Sequence, residues 1–385
     1  MTKRIVILGG GTGGTLSANR LRRELGEGAH ITVVDRDDQH VYQPGLLFVP
    51  FGMADAEDLV RSRPGQLAEG IGFHCGEIER VDIDGDRVHL ADGTVLGYDV
   101  LVVATGARLM PEETEGLTGP GWRHRVDTFY DLDGAMGLES ALAAFDGGRL
   151  VVNVIDLPIK CPVAPLEFCF LADWYFTELG IRDKVRLTYA TPLDGAGNRL
   201  VSFDGRELEF DLAVVVPLHG GASYVDRSPG LGDEFGFIRT DEHTLQSKVR
   251  DNIFVIGDAA SVPTSKAGSV THFEGEVLVR NVIRFLEGNP LDAAFDGHTN
   301  CFIESGFGKA MLIDFNYDTE PLPGRYPGAA GLPLLKESHL NHLGKLMFSW
   351  LYWHSLLPGR DLPGISSAMP RAGKQFPAAT ESQGV

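Results

Sequence analysis

The chain has 385 residues, a length that allows two or three domains and a sizeable core without disulfide or metal staples. Its formal net charge of −19 argues against a nucleic-acid partner, because phosphate binding needs clustered Lys and Arg side chains. Four scattered cysteines without a CxxC pair argue against a disulfide scaffold and a zinc site, and we expect no bound metal.

The chain starts directly with strand-like residues and shows no signal-peptide pattern, so the sequence predicts a cytoplasmic protein. No uncharged apolar stretch reaches the roughly 18 residues that a membrane-spanning helix requires.

The first predicted strand, residues 4–8, is followed by a glycine-rich turn and a helix. Gly9, Gly11 and Gly14 have the G-x-G-x-x-G spacing, and Asp35 ends the next strand. The glycines allow a tight turn, a close approach of the backbone to a pyrophosphate and close helix–strand packing, while Asp35 accepts from a ribose hydroxyl. This pattern predicts a dinucleotide site but does not distinguish FAD from NAD.

Further strand-like runs at residues 31–35 and 99–104 alternate with helical and turn-rich segments. A second α/β segment begins near Leu150, and the chain returns to a strand at residues 252–260. This order predicts an α/β fold with two interleaved Rossmann-like dinucleotide-binding domains and a C-terminal helical segment. We expect the first domain at residues 1–115 and 242–299, the second at 116–241, and a C-terminal region at 300–385 with a disordered tail from residue 366.

The stretch IDLPIKCPVAPLEF, residues 155–168, follows an apolar strand and leads into a predicted helix. A second glycine-rich turn for a nicotinamide cofactor belongs at this place, yet no glycine occurs between Gly148 and Gly180. With Pro162 in the first helical turn, Cys161 is expected at the helix N-terminus, where the helix dipole favours a nucleophilic thiolate.

Cysteine spacing limits the redox partners of Cys161. On the same helix, Cys169 would lie about 12 Å away at roughly 1.5 Å per residue, beyond the roughly 7 Å Cα limit for a disulfide. We therefore interpret Cys169 as a core residue and Cys75, in a strand-like meander, as structural. Cys301 remains as a candidate that is distant in sequence.

Two stretches, VVATGA (residues 102–107) and NIFVIGDAA (residues 252–260), resemble hallmarks of the FAD-dependent pyridine-nucleotide disulfide reductase superfamily. By that resemblance, the segment with Thr105 and Gly106 closes the FAD domain, Asp258 contacts the ribityl chain, and Gly257 belongs to the same cofactor site. A cap on the following helix is the alternative role of Asp258, and both roles are compatible.

Four pieces together resemble the sulfide:quinone oxidoreductases, particularly the branch that includes the animal mitochondrial enzyme. They are CPVAPLE, VPTSKAG, TNCFIESGFGKAMLIDFNYDTEPLP and LMFSWLYWHSLLPG. The resemblance implies that Cys161 and Cys301 are the redox-active pair on the sulfide side of FAD. It also implies that residues 302–317, which include Phe302, Phe307 and Lys309, border a pocket for ubiquinone or menaquinone.

This chain departs from the wider family in its cysteines. Some relatives tether FAD through a cysteine near the HVYQPG region or shortly after the ATG segment, and this chain has none at either place. We therefore expect noncovalent FAD. Many relatives also use a third cysteine near the ATG segment in polysulfide chemistry, and its absence leaves the polysulfide length open.

Three charged residues have two interpretations each. Glu167 is either a base near the sulfur or a first-turn acid that compensates the helix dipole. Lys266 and Lys309 either neutralise a reduced flavin or a quinone oxyanion, or are solvated surface lysines.

From residue 332 to residue 358, apolar residues that include Trp350 and Trp353 recur at helical spacing. They are interleaved with Lys336, His342, Lys345 and His354. This pattern predicts a membrane-associating helix that lies at the bilayer interface. The alternatives are packing on the protein's own core or on a sister subunit of a homo-oligomer.

The sequence thus predicts an enzyme that oxidises sulfide and passes electrons through FAD to a membrane quinone, attached peripherally at the cytoplasmic face. A type II NADH:quinone oxidoreductase is the main alternative enzyme, and the missing second glycine fingerprint speaks against it. A flavin-bearing sulfur sensor or binding protein is the alternative from another class.

Overall fold

The computed structural model describes residues 2–191, 194–196, 199–201, 207–362 and 364–376. The helices are α1 (Thr12–Leu25), α2 (Leu132–Ala143), α3 (Ala164–Glu178), α4 (Gly268–Leu286) and α5 (His339–Leu351), which continues as a π-helical turn, Tyr352–Leu356. The strands of the main sheets and of one long hairpin are β1 (Lys3–Leu8), β2 (Ala29–Asp35), β3 (Gly72–Cys75), β4 (Val100–Val103), β5 (Val126–Asp127), β6 (Gly148–Val154), β7 (Val185–Ala190), β8 (Leu212–Val216), β9 (Ile253–Val255), β10 (Thr299–Gly306) and β11 (Lys309–Phe315).

Shorter strands form small sheets and bridges around this framework. They are Gln39–Val41, Val60–Ser62, Ile78–Asp82, Arg87–Leu90, Val95–Gly97, Arg108–Leu109, Asp194–Ala196, Arg199–Val201, Glu207–Glu209, His219–Gly220, Ile238–Arg239, Ala260–Ser261, Gly324–Tyr326 and Leu332–Leu334.

The first parallel sheet has the strand order β9-β4-β1-β2-β3. Its strands are apolar on both faces because helices cover a parallel sheet, and Ile5, Ile7 and Leu8 are fully buried. In register, Leu8 pairs with Val34 on one side and with Val103 on the other. The carboxyl ends of these strands therefore meet at one edge, where ligands bind in open α/β sheets.

The second parallel sheet has the order β5-β8-β6-β7. Its helix α3 packs on the sheet through Phe168 and Phe176, both fully buried, and the ring of Phe168 stacks on Phe129 with centroids 5.1 Å apart. The α/β fold class is confirmed, with two parallel sheets built from strand–helix–strand units. The domain boundaries at residues 115, 241 and 299 stay predictions.

The chain interleaves the two sheets. It leaves the first sheet after β4, forms the second sheet, and returns with β9, which pairs with β4. After α4 the hairpin β10–β11 and helix α5 follow. Within the described residues, no helix has the length and apolar character needed to cross a membrane.

The predicted disordered tail is wrong for its first part, residues 366–376. Lys374 is fully buried, and its Nζ lies 3.2 Å from Oδ1 of Asp314, which is equally buried. The N–H of Gln375 donates to the carbonyl of Pro323 at 2.9 Å. The many Ala, Gly, Ser and Gln residues suggested disorder, whereas the ion pair between Lys374 and the buried Asp314 holds this segment in place. Residues 377–385 lie outside the described residues.

Candidate active site

The glycine turn at residues 9–11 joins β1 to α1. Gly9 has a left-handed φ of +95°, and a Cβ there would overlap the carbonyl oxygen of Ala104. A Cβ at Gly14 would overlap the carbonyl oxygen of Gly9. At Gly11, the N-cap of α1, a Cβ would meet no described atom within 4 Å. The turn thus leaves open space in front of the helix N-terminus, where a pyrophosphate is favoured.

Asp35 lies at the end of β2, beside this turn. Its Oδ2 accepts the N–H of Gly10 at 2.6 Å and lies 3.1 Å from a guanidinium nitrogen of Arg63. The carboxylate therefore fastens the glycine turn to the neighbouring strand. Its predicted hydrogen bond to a ribose hydroxyl stays a prediction.

The carboxyl end of β9 carries the second predicted cofactor segment. Gly257 (φ +70°) and Asp258 form a 3₁₀ turn, and the N–H of Gly257 donates to Oε2 of Glu274 at 2.7 Å. Burial raises the pKa of Glu274 to about 7 and raises that of Asp258. The capping role of Asp258 is wrong, because α4 begins at Gly268 and has Ala267 as its N-cap.

Lys266 belongs to the same cluster and is not a solvated surface lysine. Its Nζ donates to the carbonyls of Asp258 (2.7 Å) and Ala260 (3.0 Å), and burial lowers its pKa. Thr105 and Gly106, whose φ is +66°, follow β4 at the same sheet edge. The open space at α1 and the partly buried side chains of Asp258 and Lys266 fit the pyrophosphate and ribityl parts of FAD.

Cys161 lies in the segment between β6 and α3 and contacts the cofactor cluster through its backbone. Its N–H donates to the carbonyl of Lys266 at 2.7 Å, and its own carbonyl accepts from the hydroxyl of Tyr130 at 3.3 Å. Its φ is +44°, a left-handed value that is rare outside glycine. The second domain therefore holds this thiol residue directly beside the segment that carries Asp258.

The helix-dipole prediction for Cys161 is wrong in two respects. Helix α3 begins at Ala164, with Pro165 rather than Pro162 in its first turn, so Cys161 precedes the helix. Burial raises the pKa of its thiol, and nearby Cys301 and Glu167 raise it further, while Lys345 opposes them. Removal from water outweighs the expected effect of the helix N-terminus.

Cys301, on β10, lies close enough to Cys161 to raise the pKa of that thiol, and Glu167 raises the pKa of both thiols. Burial raises the pKa of Cys301 to about 12, and Glu167 adds to the rise while Lys345 opposes it. Both cysteines are partly buried and unpaired. The structure thus brings together two residues that the sequence separates widely.

Glu167 is buried on α3 and is bound from two sides. It accepts the backbone N–H of Glu304 at 2.6 Å and forms an ion pair with Nζ of Lys345, which also lies 3.4 Å from the carbonyl of Phe302. Glu167 lies in the first turn of α3 and is only 2% exposed, so compensation of the helix dipole and a place near the sulfur are compatible. Glu167 raises the pKa of both thiols and therefore lies near Cys161 and Cys301.

The sequence interpretation missed Lys345, the partner of Glu167, and a separate neighbouring pair, Glu304 and His342. Both basic residues lie on α5, and Nδ1 of His342 is 2.7 Å from Oε1 of Glu304. Lys345 was assigned only to the polar interleaving of that helix. A single lysine among apolar residues could have indicated that Lys345 points inward. Nothing in the sequence near Lys345 indicates that its partner is Glu167 on α3.

The predicted quinone residues lie on the hairpin but not all at one point. Phe302 packs against α5, where a Cβ at Gly344 would lie 3.0 Å from its ring. Phe307 is exposed at the hairpin turn, with φ +50°, and Lys309 is half-exposed, with Nζ 3.8 Å from Glu337. Phe302 therefore lies at α5, whereas Phe307 and Lys309 lie at the turn of the hairpin β10–β11.

The other two cysteines lie apart from this pocket. Cys169 is buried in the core of the second domain, among aromatic residues of α3. Cys75 is exposed at the end of β3, with its sulfur 3.7 Å from the carbonyl of Arg36, so it does not fill a core.

Comparison with known proteins gives a family model and full-length relatives. The model for pyridine nucleotide-disulphide oxidoreductases matches residues 3–274. The chain is 28% identical to the mitochondrial sulfide:quinone oxidoreductase of Dictyostelium discoideum, over 93% of this chain and 86% of that protein. It is 24% identical to that of Mus musculus, over 92% and 86%.

Among solved structures, the sulfide:quinone oxidoreductase of Aquifex aeolicus matches with a TM-score of 0.75 at 18% identity, covering 93% of this chain and 92% of that one. At this identity the match shows the fold. Together with the sequence relatives, it confirms the resemblance inferred from the motifs.

Proposed function

This chain belongs to the pyridine nucleotide-disulphide oxidoreductase family, as an oxidoreductase with an FAD cofactor, and we propose that it oxidises sulfide and passes the electrons to a membrane quinone. One observation carries the proposal. Cys161 and Cys301 are partly buried near one another and near Glu167, and the backbone N–H of Cys161 donates to the carbonyl of Lys266, beside Asp258.

The two cysteines supply the sulfur chemistry. HS⁻ attacks a disulfide between Cys161 and Cys301, so that a new S–S bond forms as the old one breaks. One cysteine becomes a persulfide and the other leaves as a thiolate. Persulfide and thiolate rejoin as a trisulfide with release of two electrons and one proton, and a second HS⁻ removes the extra sulfur as HSS⁻.

The surroundings of the pair suit that sequence. Burial disfavours a free thiolate, so a thiolate forms only when a bond breaks beside a compensating charge. Lys345 is that charge, because it opposes the rise in the pKa of both thiols. FAD, when bound, accepts the two electrons and delivers them to the quinone.

The loop between β6 and α3 argues against a nicotinamide donor. A pyrophosphate needs glycines that let the backbone approach it, and residues 155–163 contain none. Side chains of proline, lysine and cysteine occupy that place instead. The type II NADH:quinone oxidoreductase alternative therefore lacks its second dinucleotide site.

Helix α5 supports attachment to a membrane surface. Apolar side chains that are about half exposed or more line its outer face, namely Leu340, Leu343, Leu346, Met347 and Trp350. The helix has no Asp or Glu, and tryptophan suits the headgroup level of a bilayer. A lipophilic quinone would reach the neighbouring Phe302 from that surface. Attachment at the cytoplasmic face, noncovalent FAD and formation of a homo-oligomer remain proposals.

An anaerobic titration tests the function. Sulfide is expected to bleach the flavin absorbance of the purified protein at stoichiometric amounts, and ubiquinone-1 is expected to restore it, whereas NADH leaves it unchanged. Bleaching by NADH and not by sulfide would identify the alternative enzyme. Bleaching by sulfide without recovery on addition of quinone would identify a sulfur sensor.

A further inference from the structure

Helix α5 sends two basic side chains inward to two buried glutamates. His342 and Lys345 are three residues apart, so they lie on the same side of the helix. Lys345 pairs with Glu167 beside the thiols, and His342 pairs with Glu304 through Nδ1 and Oε1 at 2.7 Å. The proposed sulfur chemistry uses the first pair and leaves the second without a role.

The second pair connects the buried interior with the surface. The side chain of Glu304 is 1% exposed, and its Oε2 has no hydrogen-bond partner among the described residues. The side chain of His342 is 16% exposed. Burial raises the pKa of Glu304, His342 and Lys345 oppose the rise, and Glu167 adds to it. Because its pKa is raised, the carboxyl group of Glu304 holds a proton at a higher pH than an exposed glutamic acid does.

Strand geometry places Glu304 next to the predicted quinone residue. Residues i and i+2 of a strand share a face, so Phe302 and Glu304 both point toward α5. The contacts agree, because Phe302 packs at Gly344 and Glu304 meets His342. Glu304 therefore lies beside the ring that borders the proposed quinone pocket.

The proposed reaction needs one proton from solution. Two HS⁻ ions yield HSS⁻, one proton and two electrons, whereas a quinone takes up two electrons and two protons to become a quinol. The sulfide half supplies only one of those protons. A route from water to the quinone side must deliver the other in each turnover.

We propose that His342 and Glu304 are this route, an inference that rests on the proposed function. Glu304 gives a proton through Oε2 to the quinone oxygen. It regains one on Oε1 from the Nδ1–H of His342, while Nε2 of the imidazole takes a proton from water. No electron moves in these steps. Rotation of the carboxyl group and return of the imidazole to its Nδ1–H form by proton exchange with water restore the starting state before the next quinol is formed.

Stopped-flow measurements of the two half-reactions test the relay in the flavin-loaded protein. Dithionite-reduced protein is mixed anaerobically with ubiquinone-1, and the return of flavin absorbance is followed between about pH 6 and about pH 9. Glu304→Gln and His342→Gln are each expected to slow this return at least roughly ten-fold. The slowing in His342→Gln grows as pH rises, and added imidazole restores the rate. His30→Gln, an exposed histidine of β2, is the matched control and keeps the wild-type rate.

Sulfide-driven bleaching in both variants is expected to stay within about two-fold of wild type, because that half-reaction takes no proton from solution. An infrared band of a protonated carboxylic acid, lost in Glu304→Gln, gives a readout without turnover. Wild-type rates of flavin return in either variant overturn the relay, as does equal slowing of both half-reactions without imidazole rescue. Failure of sulfide to bleach the wild type would overturn the proposed function instead, and the dithionite experiment would still report on the relay.

Discussion

Two strand–turn–helix units of this protein occupy the same place in their sheets and carry opposite chemistry. The first joins β1 to α1 through residues 9–11, all glycine, and the second joins β6 to α3 through residues 155–163, which contain none. In the first unit the absence of side chains lets a backbone turn approach an anion. In the second, a cysteine with left-handed backbone stands where the anion would lie.

The comparison shows that a Rossmann-like unit fixes a position and not a ligand. The parallel sheet brings the turn to its carboxyl edge in both domains, and the turn residues then decide what binds there. In this chain the second turn is hydrogen-bonded to the cofactor segment through Cys161 and Lys266. The second turn thus lacks the glycines of a dinucleotide site and contacts the first domain through the backbone of Cys161.

Among the glycines of the first unit, substitution of Gly14 is expected to have the largest effect on FAD binding and stability. In Gly14→Ala the new Cβ would overlap the carbonyl oxygen of Gly9, so the turn must shift and FAD binding should be lost, with at least about 3 kcal/mol of stability. Gly11→Ala is the matched control for stability, because its Cβ meets open space; it should fold normally yet bind FAD more weakly. Flavin absorbance per protein and urea unfolding measure both, and equal behaviour of the two variants would contradict this role of the turn.

The cysteine side depends on the buried pair Glu167–Lys345. Lys345→Met leaves a buried carboxylate without its cation, which should lower the free energy of unfolding by about 3–5 kcal/mol. Adding Glu167→Leu should recover most of that loss. The control is Lys336→Met, an exposed lysine expected to change stability by no more than about 0.5 kcal/mol. A double variant as unstable as Lys345→Met, measured by urea unfolding, would argue against a direct pairing.

The membrane proposal gives a smaller effect and concerns only the surface beside the cysteine unit. Replacing Leu343, Met347 and Trp350 by Gln should leave stability unchanged but reduce liposome binding at least roughly ten-fold, since each side chain contributes on the order of 1 kcal/mol when buried in lipid. Phe235→Gln removes an exposed aromatic outside α5 and should bind liposomes normally. Unchanged binding of the triple variant in flotation assays would assign the face to another partner, such as a sister subunit.

The last of these predictions is that no flavin remains covalently attached to the protein. The sequence has no cysteine at either of the two places where some relatives tether FAD, near HVYQPG and shortly after the ATG segment. Acid precipitation should therefore release all of the yellow flavin colour into the supernatant. Flavin absorbance that stays with the washed pellet would refute noncovalent binding.

The sequence predicted the strand–turn–helix geometry of the glycine side, whereas its ligand contacts stay predictions, and it predicted the cysteine side only in part. Gly9, Gly14 and Asp35 have roles that depend on local spacing, so the motif contains the information. The meeting of Cys161, Cys301 and Glu167 depends on how two domains and a hairpin pack, and no local pattern encodes it. A resemblance to known proteins was needed to suggest that the cysteines are a pair.

Three errors share one physical cause. The pKa of Cys161, the tail around Lys374 and the inward role of Lys345 were all judged from local sequence, and in each case burial decided the outcome. Charge and dipole effects can be estimated from neighbouring residues, but desolvation depends on residues that are distant in the chain.

The most direct test of the account is sulfide-driven bleaching in Cys301→Ser. Serine keeps the glycine turn, Asp35 and Asp258 intact, so FAD content and the unfolding midpoint should match those of the wild type. Bleaching should be lost, because a hydroxyl neither forms a disulfide nor holds sulfane sulfur. Cys161→Ser should fail equally and the double variant no worse, while Cys75→Ser, at an exposed site outside the pocket, should bleach normally. Bleaching of Cys301→Ser at the wild-type rate would contradict the two-cysteine mechanism.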